Sequence, residues 1–181
     1  MAGKLRVINE YNFTTDGAAS VVEFTGLTSS NPYKLIITNL VSSSTTDVKP
    51  RIRVTKGGTA QTGSNYAYAG YYDYFHSGGS TTNNSSQTFF DMGIASGYSA
   101  ASHTTERSWG LSIVDIFGLT DSSTYDWILY KNNFTNWQGN GYINYLGGFH
   151  KVASASDGIH FFNDKGANMD NGTVSLYEVL G

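Results

Sequence analysis

The stretch DVKPRIRVTK, residues 47–56, decides the fold class of this chain. Apolar and polar side chains alternate along it with a period of two, which predicts a β-strand that is buried on one face only. The apolar set is Val48, Pro50, Ile52 and Val54, and the polar set is Lys49, Arg51, Arg53 and Thr55. Because proline has no N–H to donate, this strand either lies at the edge of a sheet or begins near Pro50.

Similar apolar runs recur along the chain and are separated by turn signals, whereas no helical stripe with capping residues is convincing. The chain therefore predicts an all-β, jelly-roll-like antiparallel β-sandwich of about eight to ten strands, with residues 1–181 as one domain. Two polar stretches, residues 76–87 and 93–107, are expected to be exposed loops. The other strand candidates are SVVEFTGL, YKLIITNLV, NYAYAGYYDYF, SWGLSIVDIFGL, TYDWILYKNNF, GYINYLGGFH, GIHFFND and TVSLYEV, and the turn signals include Asn31-Pro32, Gly57-Gly58, Gly139-Asn140-Gly141, Asp157-Gly158 and Asn171-Gly172.

Composition excludes several classes of protein. The 181 residues contain no cysteine, so disulfides, thiolate nucleophiles and cysteine-ligated metals are ruled out. Charged residues make up 14% of the chain with a net charge of -3, which argues against a broad surface for nucleic acid. The start, MAGKLRVINEYNF, contains no long apolar run, so we expect neither a signal peptide nor a membrane-spanning helix, and we expect synthesis in a cytoplasm.

A catalytic centre is not indicated by the sequence. The motifs of nucleophile elbows, zinc proteases, P-loops and dinucleotide-binding turns are missing. His76, His103, His150 and His160 are scattered, a spacing that favours ordinary hydrogen-bonded histidines over a Ser-His-Asp grouping. Asp115 and Asp126 lie on neighbouring candidate strands and would suit a glycosidase pair, but carboxylates that face solvent or accept backbone amides are the favoured interpretation. We therefore expect a protein that is not an enzyme.

Oxygen-bearing side chains are concentrated in NDKGANMDNG, and they are of types that a calcium ion accepts. The spacing does not match an EF-hand loop, and a tight polar turn between the last two strands explains the same residues. We therefore predict no metal and no cofactor. The residues concerned are Asn163, Asp164, Asn168, Asp170 and Asn171.

Two groups of residues are candidates for partner binding. The basic stripe is Lys49, Arg51 and Arg53; it could meet an acidic partner, and it could equally protect a sheet edge, which is the favoured interpretation. Aromatic rings form the second group, and about half of those on alternating strands should point into the core. The rest could build a protein interface or a platform for sugars. The partner-binding candidates are Tyr66, Tyr68, Tyr71, Tyr72 and Tyr74, and the sugar-binding candidates are Trp137, Tyr142 and Tyr145.

The closing segment GIHFFNDKGANMDNGTVSLYEVLG resembles the end of small structural proteins from tailed bacteriophages, which finish with a G-T-x-x-L-Y-G-[VI] strand. Glu178 stands where that family usually has glycine. FTGLTSSNPYKLIITNL and KPRIRVTKGGTAQTGSNYAYAG resemble earlier segments of the same family, whereas residues 75 to 155 carry no resemblance. The matching positions in the closing segment are Ile159, Phe161, Gly166, Gly172, Thr173, Leu176, Tyr177 and Val179.

The resemblance implies a jelly-roll-like β-sandwich that forms a homotrimer on the virion. Members decorate the capsid or form distal parts of tail fibres. Because the chain starts with its own Met and no shaft precedes it, we expect a capsid decoration protein that binds the major capsid protein on the capsid surface. Attachment would use residues 1–13, as an arm or a first strand, or the basic stripe, and part of YAYAGYYDYF would supply trimer contacts. The alternative is a tail-fibre tip or carbohydrate-binding module that contacts host glycans.

Overall fold

The structure is a computed structural model that describes residues 4–42, 49–74, 78–92, 110–135 and 141–181. Within these ranges the chain forms thirteen β-strands and no helix, so no helix there could cross a membrane. The expected all-β fold is confirmed, with more strands than the eight to ten predicted. They are β1 (Lys4–Asn12), β2 (Val21–Phe24), β3 (Tyr33–Ser42), β4 (Pro50–Lys56), β5 (Thr59–Ala60), β6 (Tyr66–Tyr74), β7 (Ser80–Gln87), β8 (Phe90–Asp91), β9 (Gly110–Phe117), β10 (Asp126–Thr135), β11 (Gly141–His150), β12 (Gly158–Asn163) and β13 (Met169–Leu180).

The strands form two antiparallel sheets in a sandwich-like arrangement. The large sheet has the order β1-β13-β3-β9-β10-β11-β6-β7, and the small sheet has the order β2-β12-β4-β5, with β8 also paired to β4. The final strand β13 lies between β1 and β3, so both ends of the described chain are hydrogen-bonded into the large sheet. This pairing ties down a terminus that would otherwise fray.

Side chains from both sheets form one hydrophobic core. The alternation in β4 has the predicted effect, because Ile52 and Val54 are fully buried while Arg51 and Arg53 lie on the other face. Burial of such aliphatic and aromatic side chains is the main term that stabilises the sandwich. Other core members include Phe24, Tyr33, Leu35, Ile37, Phe90, Val114, Ile116, Ile128, Leu146, Ile159, Phe161, Val174 and Leu176.

The additional strands are short or polar. β7, with the sequence STTNNSSQ, was expected to be part of an exposed loop, and that prediction is wrong because its backbone pairs with β6. A strand at the sheet edge with solvent on both faces needs no apolar alternation, so its sequence resembles that of a loop. The second predicted loop, residues 93–107, lies outside the described residues.

Asn171-Gly172 was expected to be a turn, but it lies within β13 at an irregularity in the pairing with β3. Gly172 has a φ of +104°, and a Cβ at this position would lie 2.5 Å from the Thr38 carbonyl oxygen. Only glycine fits this close backbone approach. The Asn-Gly signal therefore marks a β-bulge here.

Glu178, at the position where the resembled family usually has glycine, continues β13 without a turn. Its carboxylate accepts hydrogen bonds from Ser29 Oγ and from Asn31 Nδ2, and it forms an ion pair with Arg6. The hydrogen bonds from Ser29 and Asn31 hold the pKa of this carboxyl below its usual range. The residue thus links β1 and β13 to the loop before β3.

Candidate functional site

The side chains of the basic stripe differ in their surroundings, because the two arginines contact other side chains of the protein whereas the lysine faces solvent. The Arg51 guanidinium lies 3.8 Å from the centre of the Phe89 ring, and the Arg53 guanidinium lies 4.4 Å from that of Phe162. Arg53 Nε also donates to the carbonyl oxygen of Thr88 at 2.8 Å. Lys49 is exposed, and its backbone N–H donates to Asp164. Both arginines therefore have ring partners within the chain, and the three charges do not form a free patch.

The edge-protection interpretation of the stripe is wrong. β4 begins at Pro50, as one of the two predicted alternatives required, and it pairs with β12 from Pro50 to Thr55. On its other side it pairs with β8 at Arg51 and Ile52 and with β5 at Thr55 and Lys56. An interior strand does not need charges to block edge pairing, so the arginines serve packing instead.

Replacing Arg53 with alanine is expected to lower the free energy of unfolding by about 1–2 kcal/mol, because one cation–π contact and one hydrogen bond to a carbonyl are lost. Urea unfolding measures the change. Lys49→Ala is the matched control, since the exposed lysine should shift the unfolding midpoint little. Equal effects of the two substitutions would contradict the packing role of Arg53.

The tyrosines of β6 point to both sides of the large sheet. Tyr66 and Tyr68 lie in the core, where the Tyr66 hydroxyl accepts from the Val54 N–H at 3.1 Å and burial raises the pKa of both phenols. Tyr72 is partly buried against the same core. Tyr71 is 42% exposed on the opposite face. Tyr74 ends β6, and its side chain lies outside the described residues. Tyr71 is therefore the one described tyrosine of β6 that solvent reaches freely.

Among the predicted sugar-binding residues, Tyr145 is 55% exposed and pairs in register with Tyr71. Tyr142 lies half-buried in β11, and Trp137 is outside the described residues. The structure thus brings one residue from each predicted aromatic group onto the same face of the large sheet.

The two candidate catalytic carboxylates do not form a pair. Asp115 on β9 faces outward and forms an ion pair with Lys34, whereas Asp126 on β10 is fully buried on the inner side. Asp126 Oδ2 accepts from His150 Nδ1 at 3.1 Å and from Ser156 Oγ at 2.9 Å, and burial raises the pKa of the carboxyl. Because serine and histidine both bond the same carboxylate oxygen, this cluster is not a Ser-His-Asp relay.

The other histidine candidate that the structure describes, and the polar turn between the last two strands, make ordinary side-chain contacts. His160 contacts the Glu23 carboxylate at 2.6 Å on the small sheet, while His76 and His103 lie outside the described residues. Asn163 Oδ1 accepts from the Lys165 N–H at 3.0 Å, which is the hydrogen bonding of the predicted tight turn between the last two strands. Within the described ranges, no three His, Asp or Glu residues are grouped to hold a metal ion.

The outer face of the large sheet, which is turned away from the small sheet, exposes rows of apolar side chains. Phe117, Trp127 and Phe149 align across β9, β10 and β11. Leu129 aligns with Gly147, and two residues further along Lys131 aligns with Tyr145. Monomeric proteins seldom expose a large contiguous apolar patch, so a face of this kind indicates a binding surface.

Two hollows on this face share Leu129 and Gly147, and together they form what we call the aromatic groove. One hollow, of about 260 Å³, is lined by Trp127 and Phe149 and extends over Ala69 to Asn83. The other, of about 380 Å³, extends from Gly147 past Lys131 and Tyr145 to Asp115. Gly147 and Ala69 form the floor because they carry little or no side chain.

The unpaired edge of β1 is a second surface available to a partner. β1 pairs with β13 on one side only, and within the described residues no strand covers its other side. Its side chains are exposed on both faces from Lys4 to Glu10, with Leu5 at 48% and Val7 at 60%. An edge with free backbone groups and apolar side chains is suited to accept another strand.

The fold and these two surfaces define the class of protein: an all-β, sandwich-like protein with an apolar strand edge and an aromatic groove. No family model, curated protein or solved structure matches this chain.

The aromatic groove contains residues that were not singled out from the sequence, namely Trp127, Leu129, Gly147 and Phe149. The segment DWILY contains a pattern from which Trp127 and Leu129 could have been predicted to face outward. Ile128 and Tyr130 fill the inner positions, so the equally apolar Trp127 and Leu129 must face outward. A strand that is apolar on both faces while lying in a two-layer fold indicates a covered or binding face.

Proposed function

We propose that this chain is a non-enzymatic structural protein that attaches to a larger assembly through the β1 edge. The observation that carries the proposal is the exposure of Leu5 and Val7 on a strand whose outer edge is unpaired in the described structure. Addition of a partner strand there would bury both side chains and satisfy the free backbone groups. The sequence predicted attachment through residues 1–13 or through the basic stripe, and β1 belongs to the first of these alternatives.

The assembly that we propose is the virion of a tailed phage, with this chain as a homotrimeric capsid decoration protein bound to the major capsid protein. Support comes from the resemblance of residues 158–181 to phage structural proteins. In the structure these residues form β12, the tight turn and β13, which also holds β1 in place. Binding of the purified chain to virions from which it has been removed tests attachment, and its mass in solution tests the trimer.

A receptor-binding tip on the tail is the second candidate. The aromatic groove favours it, because an open groove with exposed rings is suited to a ligand rather than to a flat subunit contact. Antibody labelling distinguishes the two roles, since label restricted to the tail would support the receptor-binding tip.

A further inference from the structure

We propose that the aromatic groove binds a neutral oligosaccharide. The proposal does not depend on attachment through β1, which lies at the far edge of the large sheet from the β6 and β7 side of the groove. It rests on the rings, the floor, the polar end and the charge of the groove.

The rings on one side of the groove are held in place before any ligand binds. Trp127 contacts Phe149 with ring centres 4.8 Å apart, and Tyr125 stacks on Phe149 at 5.7 Å with the planes 5° apart. Trp127 nevertheless remains 49% exposed. A fixed and accessible indole loses little entropy when the apolar C–H face of a sugar ring packs on it.

The floor permits close approach of a flat ring. Gly147 has no side chain, and a Cβ built there would meet a single atom, Leu129 Cδ2, at 3.3 Å. Ala69 is in register with Gly147 on the next strand. From Asp115 to Asn83 the floor crosses five adjacent strands, or about 19 Å, which accommodates a short extended oligosaccharide.

Polar groups stand where the hydroxyls of a bound sugar would emerge. Asn83 and Ser85 are exposed at the β7 end of the groove beside the aromatic rings, and Lys131 lies near Tyr145 at the other end. Amides both donate and accept, which suits them to hydroxyl groups that do the same. An entirely apolar ligand would form no hydrogen bonds with these polar groups.

The charge of the groove favours a neutral ligand. Asp115 is neutralised by its ion pair with Lys34, so Lys131 is the remaining charged group in the described lining. One exposed lysine gives weak attraction for anions at physiological salt. Stacking and hydrogen bonding therefore dominate, and both are satisfied by uncharged sugar rings.

Binding of the full-length chain to an array of neutral and acidic oligosaccharides tests the proposal, with titration calorimetry of the neutral sugar bound most strongly. We expect Trp127→Ala to lower the affinity at least tenfold, which corresponds to 1.4 kcal/mol. Gly147→Gln should abolish binding by filling the floor, while its unfolding midpoint stays near that of the original protein. Val21→Ala, at an exposed apolar position of the small sheet and away from the groove, is the matched control and should bind normally.

Absence of binding to every neutral oligosaccharide would overturn the proposal, as would binding restricted to acidic sugars and removed by salt. Unchanged affinity in both groove variants would also overturn it. Trp127→Ala should still attach to virions, and a variant defective at β1 should still bind sugar, so failure of the groove and failure of the attachment proposal are distinguishable.

Discussion

Replacing Asp126 with alanine is expected to lower the free energy of unfolding by about 3 kcal/mol, because it leaves His150 and Ser156 as buried donors without their acceptor. All three side chains are nearly inaccessible to solvent, and the ring of Tyr66 packs on His150 at 4.7 Å. Water cannot easily replace the lost carboxylate in such surroundings. Urea unfolding of the purified variant measures the loss.

Asp126→Asn is the conservative counterpart and should cost less than about 1 kcal/mol, since its amide oxygen can accept from both donors. It also removes a carboxyl whose pKa is raised by burial, so a charge that is expensive to bury disappears. Asp115→Ala is the control on the neighbouring strand, where loss of a partly exposed ion pair should cost about 0–1 kcal/mol. If the alanine and asparagine variants were equally stable, the cluster would not have the structural role assigned to it.

Replacing both Leu5 and Val7 with lysine is expected to abolish attachment through the β1 edge. Leu5 and Val7 are 48% and 60% exposed, so burial of their remaining surface against a partner strand contributes about 1 kcal/mol each, and their joint loss corresponds to about thirtyfold in affinity. Lysine on an edge strand also opposes pairing with another strand. Co-sedimentation of the purified variant with particles that lack this protein measures attachment.

The control for the β1 variant is Leu111→Lys, which places a lysine on another exposed apolar position of the large sheet. It should attach like the original protein. Because the side chains of Leu5 and Val7 are exposed, the double variant should retain its sheet signature by circular dichroism. Normal attachment of the folded double variant would contradict attachment through the β1 edge.

Alternation along single strands made much of the fold predictable. β4 follows its pattern, with Ile52 and Val54 inside, because one face of the small sheet packs on the core. The polar strand β7 escaped prediction since its position depends on backbone pairing with β6 and not on burial of side chains. The Asn171-Gly172 pair was also misread, because a positive φ serves a bulge as well as a turn.

The binding surfaces were only partly predictable because they depend on register between distant segments. Tyr71 and Tyr145 were each selected for being aromatic, yet their alignment arises from the pairing of β6 with β11. Gly147 has no side chain that could mark it as functional in the sequence. It contributes to the groove because the lack of a side chain leaves the floor open beside Leu129. In the basic stripe, Arg51 and Arg53 were interpreted as charges that protect a sheet edge, because the rings of Phe89 and Phe162 that they contact are remote in sequence.

The measurement that tests the central claim most directly is localisation of this protein on intact phage particles by antibody labelling and electron microscopy. We predict label at regular positions over the head, as expected for a decoration protein attached through its β1 edge. Label restricted to the tail, or particles without any label, would contradict it.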